Sequence, residues 1–340
     1  MTTAETLFDK LKNISVDHPL CTYTLQRCQQ LAPLIDKIQA LKTMRRAVIL
    51  AHSYVHPDII YGVADHTGDS FGLAKAAKAA GSDVIVFPAV RFMAETAKIL
   101  NPEKVVIDPN PNGGCTLADS IDANQVLRLR EKYPKHTFVC YINTTAAVKA
   151  VCDVCVTSSN VYTIIENIPN DQIFFLPDRL MGQNLKAYMA QNGIDKELLY
   201  SDGTCYVHEQ FDEAQVDQLR RRYPRLKVLA HPECKPSVVE KADKTCSTTG
   251  MIDYVKTLPA DSQLLLLTEC GITTRLQAEQ PHLQMVGSCT MCRYMKSNGL
   301  DTIYQALKDP LPAQIIEIPQ DVQKKALECL EKMFFYCEKK

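Results

Sequence analysis

The chain has 340 residues, 46% apolar and 23% charged, with 38 Lys and Arg against 39 Asp and Glu. That length exceeds one ordinary hydrophobic core and calls for two or three units. A net charge of −1 with no basic stripe among aromatics argues against nucleic acid, and no apolar run is long enough for a bilayer.

The opening MTTAETLFDKLKN lacks the basic-then-apolar pattern of a signal peptide, so the expected location is cytoplasmic, with no membrane partner. Residues 1–45 read as a helical arm, with Leu31, Leu34, Ile35, Ile38 and Leu41 on one face. Three similar units follow, at 46–118, 119–207 and 208–292. An offset of 90 sets TFVCYINTTAAVKAVCDVCVTSS from Thr137 on LKVLAHPECKPSVVEKADKTCSTT from Leu226. It pairs Tyr141 with His231, Asn143 with Glu233 and Asp153 with Asp243. An offset of 89 brings in His52 and Tyr54 from VILAHSYVHPDIIYGVADHTGDS, and a one-residue gap then aligns Asp65 and Ser70.

Each unit alternates short apolar runs with helical patterns. This indicates an α/β fold of three homologous αβα units with parallel sheets buried on both faces, in pseudo-threefold array. The tail 293–340 is helical at its end and is expected to cover the first unit.

Cys115, Cys205 and Cys292 each follow the last apolar run of a unit, 90 and 87 residues apart. Three thiols from three equivalent loops suggest one metal centre with a free position. Zinc or a [4Fe–4S] cluster with an open iron both suit three cysteines, and iron–sulfur is preferred. Most of the other eleven of the 14 cysteines suit small apolar core positions.

Ligands of parallel sheets bind beyond the strand carboxyl ends, where this chain collects its polar residues. His52, Tyr54, Tyr141, Asn143, His231 and Glu233 end the first strands. Ser70, Ser158, Ser247 and Thr248 fall where the second helices should start, as caps or anion sites. Glu233 suits a general acid or base tuned by His231, or simply a first-turn carboxylate.

These motifs together resemble the quinolinate synthase family. The likeness runs from about Ala47 to Leu300 through AHSYVHPDI, VRFMAETAKIL, YINTTAAVKA, LPDRLMGQNL, GTCYVHEQF, AHPEC, CSTTGMI and CRYMKSNGL. The resemblance implies a central [4Fe–4S] cluster on Cys115, Cys205 and Cys292. It implies condensation of iminoaspartate with dihydroxyacetone phosphate, with an aspartate oxidase or dehydrogenase as supplier. It implies that His52 and Ser70 hold carboxylates and that Tyr141 and Asn143 face the cluster and substrate. By the same likeness Tyr54 is an active-site tyrosine, and Ser158, Ser247 and Thr248 accept phosphate or carboxylate. His208, His231 and Glu233 complete the wall, with Glu233 as general base.

Some relatives carry CxxCxxC where this chain has only Cys289 and Cys292. Cys289 is then spare, competes as a ligand, or forms a redox disulfide with Cys292. A zinc lyase or hydrolase, and a non-enzymatic iron–sulfur sensor, are the competing readings.

Overall fold

The computed structural model of the chain describes residues 1–16, 18–287 and 289–338. Two helices open it. The first, α1 (Thr3–Leu11), starts at a capping box between Thr2 and Glu5. The second, α2 (Leu25–Met44), buries Cys28, Ala32, Ile35 and Ile38.

The first unit runs β1 (Ala47–His52), α3 (Pro57–Gly62), β2 (His66–Gly68), α4 (Ser70–Ala79), β3 (Val84–Val86), α5 (Arg91–Leu100) and β4 (Val105–Ile107). After α6 (Ala123–Lys132) the second runs β5 (Thr137–Tyr141), α7 (Ala146–Lys149), β6 (Val154–Val156), α8 (Val161–Asn167), β7 (Gln172–Leu176), α9 (Arg179–Gln191) and β8 (Glu197–Tyr200). After α10 (Glu213–Arg222) the third runs β9 (Leu226–Ala230), α11 (Pro236–Glu240), β10 (Lys244–Thr245), α12 (Thr248–Val255), β11 (Gln263–Leu267), α13 (Gly271–Glu279) and β12 (Gln284–Met285). Helices α14 (Leu300–Lys308) and α15 (Gln320–Glu338) close the chain.

All three sheets are parallel and share one strand order: β2-β1-β3-β4, β6-β5-β7-β8 and β10-β9-β11-β12. The αβα repeat is therefore real. Parallel pairing demands a crossover helix for every strand, and helices on both faces keep positions such as Ile49, Phe175 and Val228 free of solvent.

One side-chain device sets the register of every sheet. Asp65, Asp153 and Asp243 immediately precede the second strand of their units. Each main-chain N–H donates to the first strand (Ile49, Phe138 and Val228 carbonyls, at 2.9, 2.8 and 2.8 Å). Each carboxylate accepts the N–H of that same first-strand residue, at 2.9, 2.7 and 2.8 Å. A cation from the preceding helix closes on each carboxylate: Lys42 at 2.8 Å, Arg130 at 2.8 Å and Arg220 at 2.7 Å. Strand N–H groups that would lack a ladder partner are thus satisfied three times in the same way.

The tail, expected on the first unit, spans the first and second units. Residues around Ile316 do pair with β4, through Ile316 N–H to the Val106 carbonyl at 2.9 Å, and α14 packs on α2. Helix α15 instead lies mainly on β6, α7 and α8, and reaches the first unit through α5. Its Cys329 Sγ is 3.7 Å from Cys140 Sγ of β5. The reason is shortage of cover: α7 has 4 residues and α8 has 7, too few to shield the fully buried strand β6.

Burial pushes the Asp243 carboxyl up, but the Val228 N–H and Arg220 outweigh it and hold it below its ordinary value. A folded value below the unfolded one adds stability above the unfolded pKa and loses it as pH falls through the folded value. Asp243→Asn should therefore cost about 1 kcal/mol at neutral pH, since solvent reaches the pair. Urea unfolding of the variant and parent should converge as pH falls through the lowered Asp243 value.

Candidate active site

Past its last strand, each unit makes the same turn. Cys115, Cys205 and Cys292 are each followed three residues later by a 3-10 turn, at Ala118–Ser120, His208–Gln210 and Met295–Ser297. The N–H four residues ahead returns to the cysteine carbonyl at 2.9 Å in all three. The N–H groups two and three residues ahead bond to the sulfur.

All three thiols line one cavity of about 720 Å³, counted with the solvent at its mouth. Burial raises each: Cys115 to about 12, Cys205 well above the ordinary thiol value, and Cys292 upward. The paired N–H groups oppose this, and donors aimed at sulfur serve a thiolate rather than a thiol. Three half-buried sulfurs prepared in this way fit a cationic, thiophilic group.

Cys289 is elsewhere. It is exposed and pairs with Cys270 in a disulfide, with Cα atoms 5.1 Å apart. The pairing with Cys292 considered from the sequence is therefore not made. The Cys270 N–H donates to the Thr290 carbonyl at 2.9 Å, bringing that segment to the end of β11. Cys292 instead gives its N–H to Glu269 Oε1 at 3.1 Å.

Glu233, 3% exposed, lines the same cavity close to Cys205. Tyr141 Oη donates to its Oε1 at 2.6 Å, and His208 Nδ1 lies 2.9 Å from its Oε2. Burial pushes this carboxyl up, but His208 and the bonds from His208 and Tyr141 outweigh it and bring it down to about 2. Burial drives His231 to about 3 and so keeps it neutral, which leaves the ionised Glu233 to His208 and Tyr141. The His231 ring stacks on His208 at 4.4 Å.

Cys205 Sγ, His208 Nδ1 and a Glu233 oxygen also lie within 4.8 Å of one another, the donor set of a zinc site. Here those atoms already bond among themselves, with His208 Nδ1 3.3 Å from Cys205 Sγ.

His52 and Tyr54 come from the end of β1, their rings edge to face at 4.5 Å. Burial lowers His52 to about 3 and raises Tyr54 and Tyr141 well above the ordinary phenol value, so both phenols stay protonated. Asn143 lies between Ile142 and Thr144, whose carbonyls both accept from the buried Lys149 ammonium.

Ser70 and Thr248 each occupy the first residue of a helix, behind the N-caps Asp69 and Ser247. Ser247 is the one expected residue that does not line the cavity; its Oγ accepts the Gly250 N–H at 3.2 Å. Ser158 lines the cavity but is not at a helix start. Asn160 Oδ1 takes the Thr157 N–H at 2.7 Å, and α8 begins only at Val161.

Four contributors escaped sequence reasoning. Thr268 Oγ1 bridges His208 Nε2 at 3.0 Å and Tyr54 Oη at 2.7 Å. Glu269 and Lys296 form a buried pair at 3.1 Å behind Cys292. Asp178, the N-cap of α9, is fully buried, and burial followed by the Glu233 charge holds its carboxyl far above the carboxylate range. The available signal for Thr268 was a polar residue ending β11 where Pro177 follows β7.

The family model described as "Quinolinate synthetase A protein" matches residues 36–335. "Quinolinate synthase 2" of Mesorhizobium japonicum is 40% identical over 329 residues, covering 94% of this chain and 99% of that protein. "Quinolinate synthase" of Gloeothece citriformis is 42% identical over 308 residues, covering 88% and 93%. The Xylella fastidiosa protein of the same name is 40% identical, covering 88% and 90%. Among the described residues no helix is long and apolar enough to cross a membrane.

The depressed histidines predict a pH signature. Between about 3 and the unfolded value of about 6.5, His52 and His231 carry protons only in the unfolded state. Stability therefore rises with pH across that window and levels off above it. Urea unfolding between pH 4 and 6 should lose about 1.4 kcal/mol of slope per pH unit for each of His52→Gln and His231→Gln.

Proposed function

Because the chain belongs to the quinolinate synthetase A family, we propose that it is a quinolinate synthase of NAD biosynthesis. It condenses iminoaspartate with dihydroxyacetone phosphate to quinolinate, releasing phosphate and two waters. The supporting observation is one cavity shared by three N–H-bonded thiols and a buried, ionised glutamate flanked by a tyrosine and a histidine.

Cys115, Cys205 and Cys292 would hold a [4Fe–4S] cluster, leaving one iron without a protein ligand. When bound, that open iron supplies a Lewis acid for a substrate hydroxyl or carboxylate. The competing zinc reading would use the same three cysteines, and membership of the quinolinate synthetase A family favours iron–sulfur over it.

The remaining chemistry belongs to side chains. Both substrates are anionic, and the first turns at Ser70 and Thr248 offer helix N–H groups to phosphate or carboxylate. His52, His231, Asn143 and Ser158 orient those groups, and the N-cap Ser247 fixes the start of α12. Glu233 is the proton-accepting centre. With both oxygens bonded it is a weak base, and it gains basicity when substrate displaces one of its donors. Proton abstraction is thereby tied to substrate arrival. Tyr54 and Tyr141, held protonated, donate to departing oxygens, and His208 shares the proton with Glu233. Phe92, Val90 and Tyr294 line the cavity and restrict water, which protects the hydrolysable imine. An enzyme oxidising aspartate to iminoaspartate, an oxidase or a dehydrogenase, must act upstream.

Anaerobic protein should contain about four irons per chain and form quinolinate. Glu233→Gln should keep the iron and lose on the order of 10²-fold or more in kcat; full activity would remove Glu233 from its role. Cys292→Ser should lose the iron and Cys289→Ser should retain it. The reverse result would reassign the third ligand.

A further inference from the structure

We infer that Lys149 is a positioning residue for the second unit's share of the cavity wall: its buried ammonium clamps the turn that presents Asn143. The ligand named in the test rests on the quinolinate synthase reading, whereas the clamp rests on the hydrogen bonds of the turn.

The turns after the three first strands are held in two different ways. In the first unit the Tyr54 N–H donates to His52 Nδ1 at 3.2 Å, and the Val55 N–H returns to the His52 carbonyl at 3.2 Å. The third unit repeats both bonds, from the Glu233 N–H to His231 Nδ1 at 3.4 Å and from the Cys234 N–H to the His231 carbonyl at 2.9 Å. An imidazole at the strand end thus holds its own turn. The second unit has Tyr141 in that slot, and a phenol offers no ring nitrogen to the N–H two residues on. Its hydroxyl is already committed to Glu233 at 2.6 Å.

Lys149, the last residue of α7 and fully buried, takes over that work. Its Nζ donates to the Ile142 carbonyl at 2.8 Å, to the Thr144 carbonyl, and to Thr144 Oγ1 at 3.4 Å, so three N–H groups meet three oxygens. Thr144 Oγ1 in turn donates to the Tyr141 carbonyl at 2.9 Å, and the Thr144 N–H donates to the Ile142 carbonyl at 2.8 Å. The carbonyls of Tyr141, Ile142 and Thr144 are all engaged within the turn. Asn143 sits between them, half-buried, and lines the cavity. A free carbonyl oxygen facing a carboxylate or phosphate would repel it. Holding three of them inside the turn leaves Asn143 as what the turn offers to an anion. The place matching Lys149 holds Val239 in α11, and α3 contains no lysine. The clamp therefore accompanies the change from histidine to tyrosine at the strand end.

The test uses the cluster-loaded enzyme prepared anaerobically, with quinolinate as the probe. Lys149→Met keeps the length of the side chain and removes its charge and its donors. It should weaken quinolinate binding and raise KM on the order of tenfold, with kcat within about threefold of the parent. Added to Asn143→Ala, it should change binding by less than about twofold, because both act through one group; added to Ser70→Ala in the first unit, its full effect should multiply. NMR of asparagine-labelled protein without ligand should show the Asn143 side-chain amide, identified by its loss in Asn143→Ala, displaced in Lys149→Met. Should Lys149→Met fail to fold, Thr144→Val removes a single bridge and carries the same two cycles, with a loss of about threefold. Unchanged quinolinate binding, losses that multiply with Asn143→Ala, or an undisturbed Asn143 amide would each overturn the clamp. A parent enzyme that neither forms nor binds quinolinate would overturn the functional reading instead, and the amide resonance would still decide the clamp.

Discussion

Glu233 is a carboxylate sealed in the protein whose two oxygens are claimed from different directions, by Tyr141 at the end of β5 and by His208 three residues beyond Cys205. A buried charge of this kind is tolerated only while both partners stay in place. The second and third units therefore cannot slide past one another without exposing an unpaired charge. The same imidazole touches the Cys205 sulfur and Thr268, and Thr268 reaches the first unit through Tyr54. One side chain thus couples thiol position, carboxylate charge and the docking of all three sheets.

A second buried pair plays a matching role on the far side. Glu269 accepts N–H groups from Cys292 and Gly271 and receives Lys296, whose ammonium also donates to the Tyr54 carbonyl. Gly271 is needed there. A Cβ at that position would come within 2.4 Å of the Ser53 carbonyl oxygen and 2.6 Å of Tyr54 Cα. Such close backbone approach brings the third unit against the first, leaving Glu269 short enough to reach both. Asp178 shows the opposite use of burial: with one oxygen capping α9 and the other unpartnered, it stays neutral while Glu233 is ionised.

The sequence displayed the repeat because its physical cause is periodic. Strands buried on both faces must be apolar throughout, and a carboxylate that anchors each first strand must recur at one register, as Asp65, Asp153 and Asp243 do. Polar residues at strand ends were readable for the same reason. What lacked a counterpart in the other units was not readable: Thr268 stands where Pro177 would, and Glu269 and Lys296 are specific to one interface. Helix α15 displayed an apolar face but no address, and the short helices of the second unit decided where it went. Cys289 found Cys270 rather than its near neighbour because pairing follows the backbone approach of Thr290 to Cys270, which spacing does not encode. Ser158 matched by register while its helix started later, since Asn160 took over the turn.

The strand-end registers have a further meaning for how a small molecule settles. Three like units around one centre offer, in principle, three equivalent ways for a compact dianion to sit, each a third of a turn from the next. The occupants of equivalent positions differ: His52, Tyr141 and His231 at one level, Tyr54, Asn143 and Glu233 at the next. One level thus carries two imidazoles and a phenol and the next a phenol, an amide and an ionised carboxylate, so the three positions are not equivalent. Divergence at two positions per copy therefore removes the rotational degeneracy that duplication introduced, and a symmetric frame acquires a single handed seat.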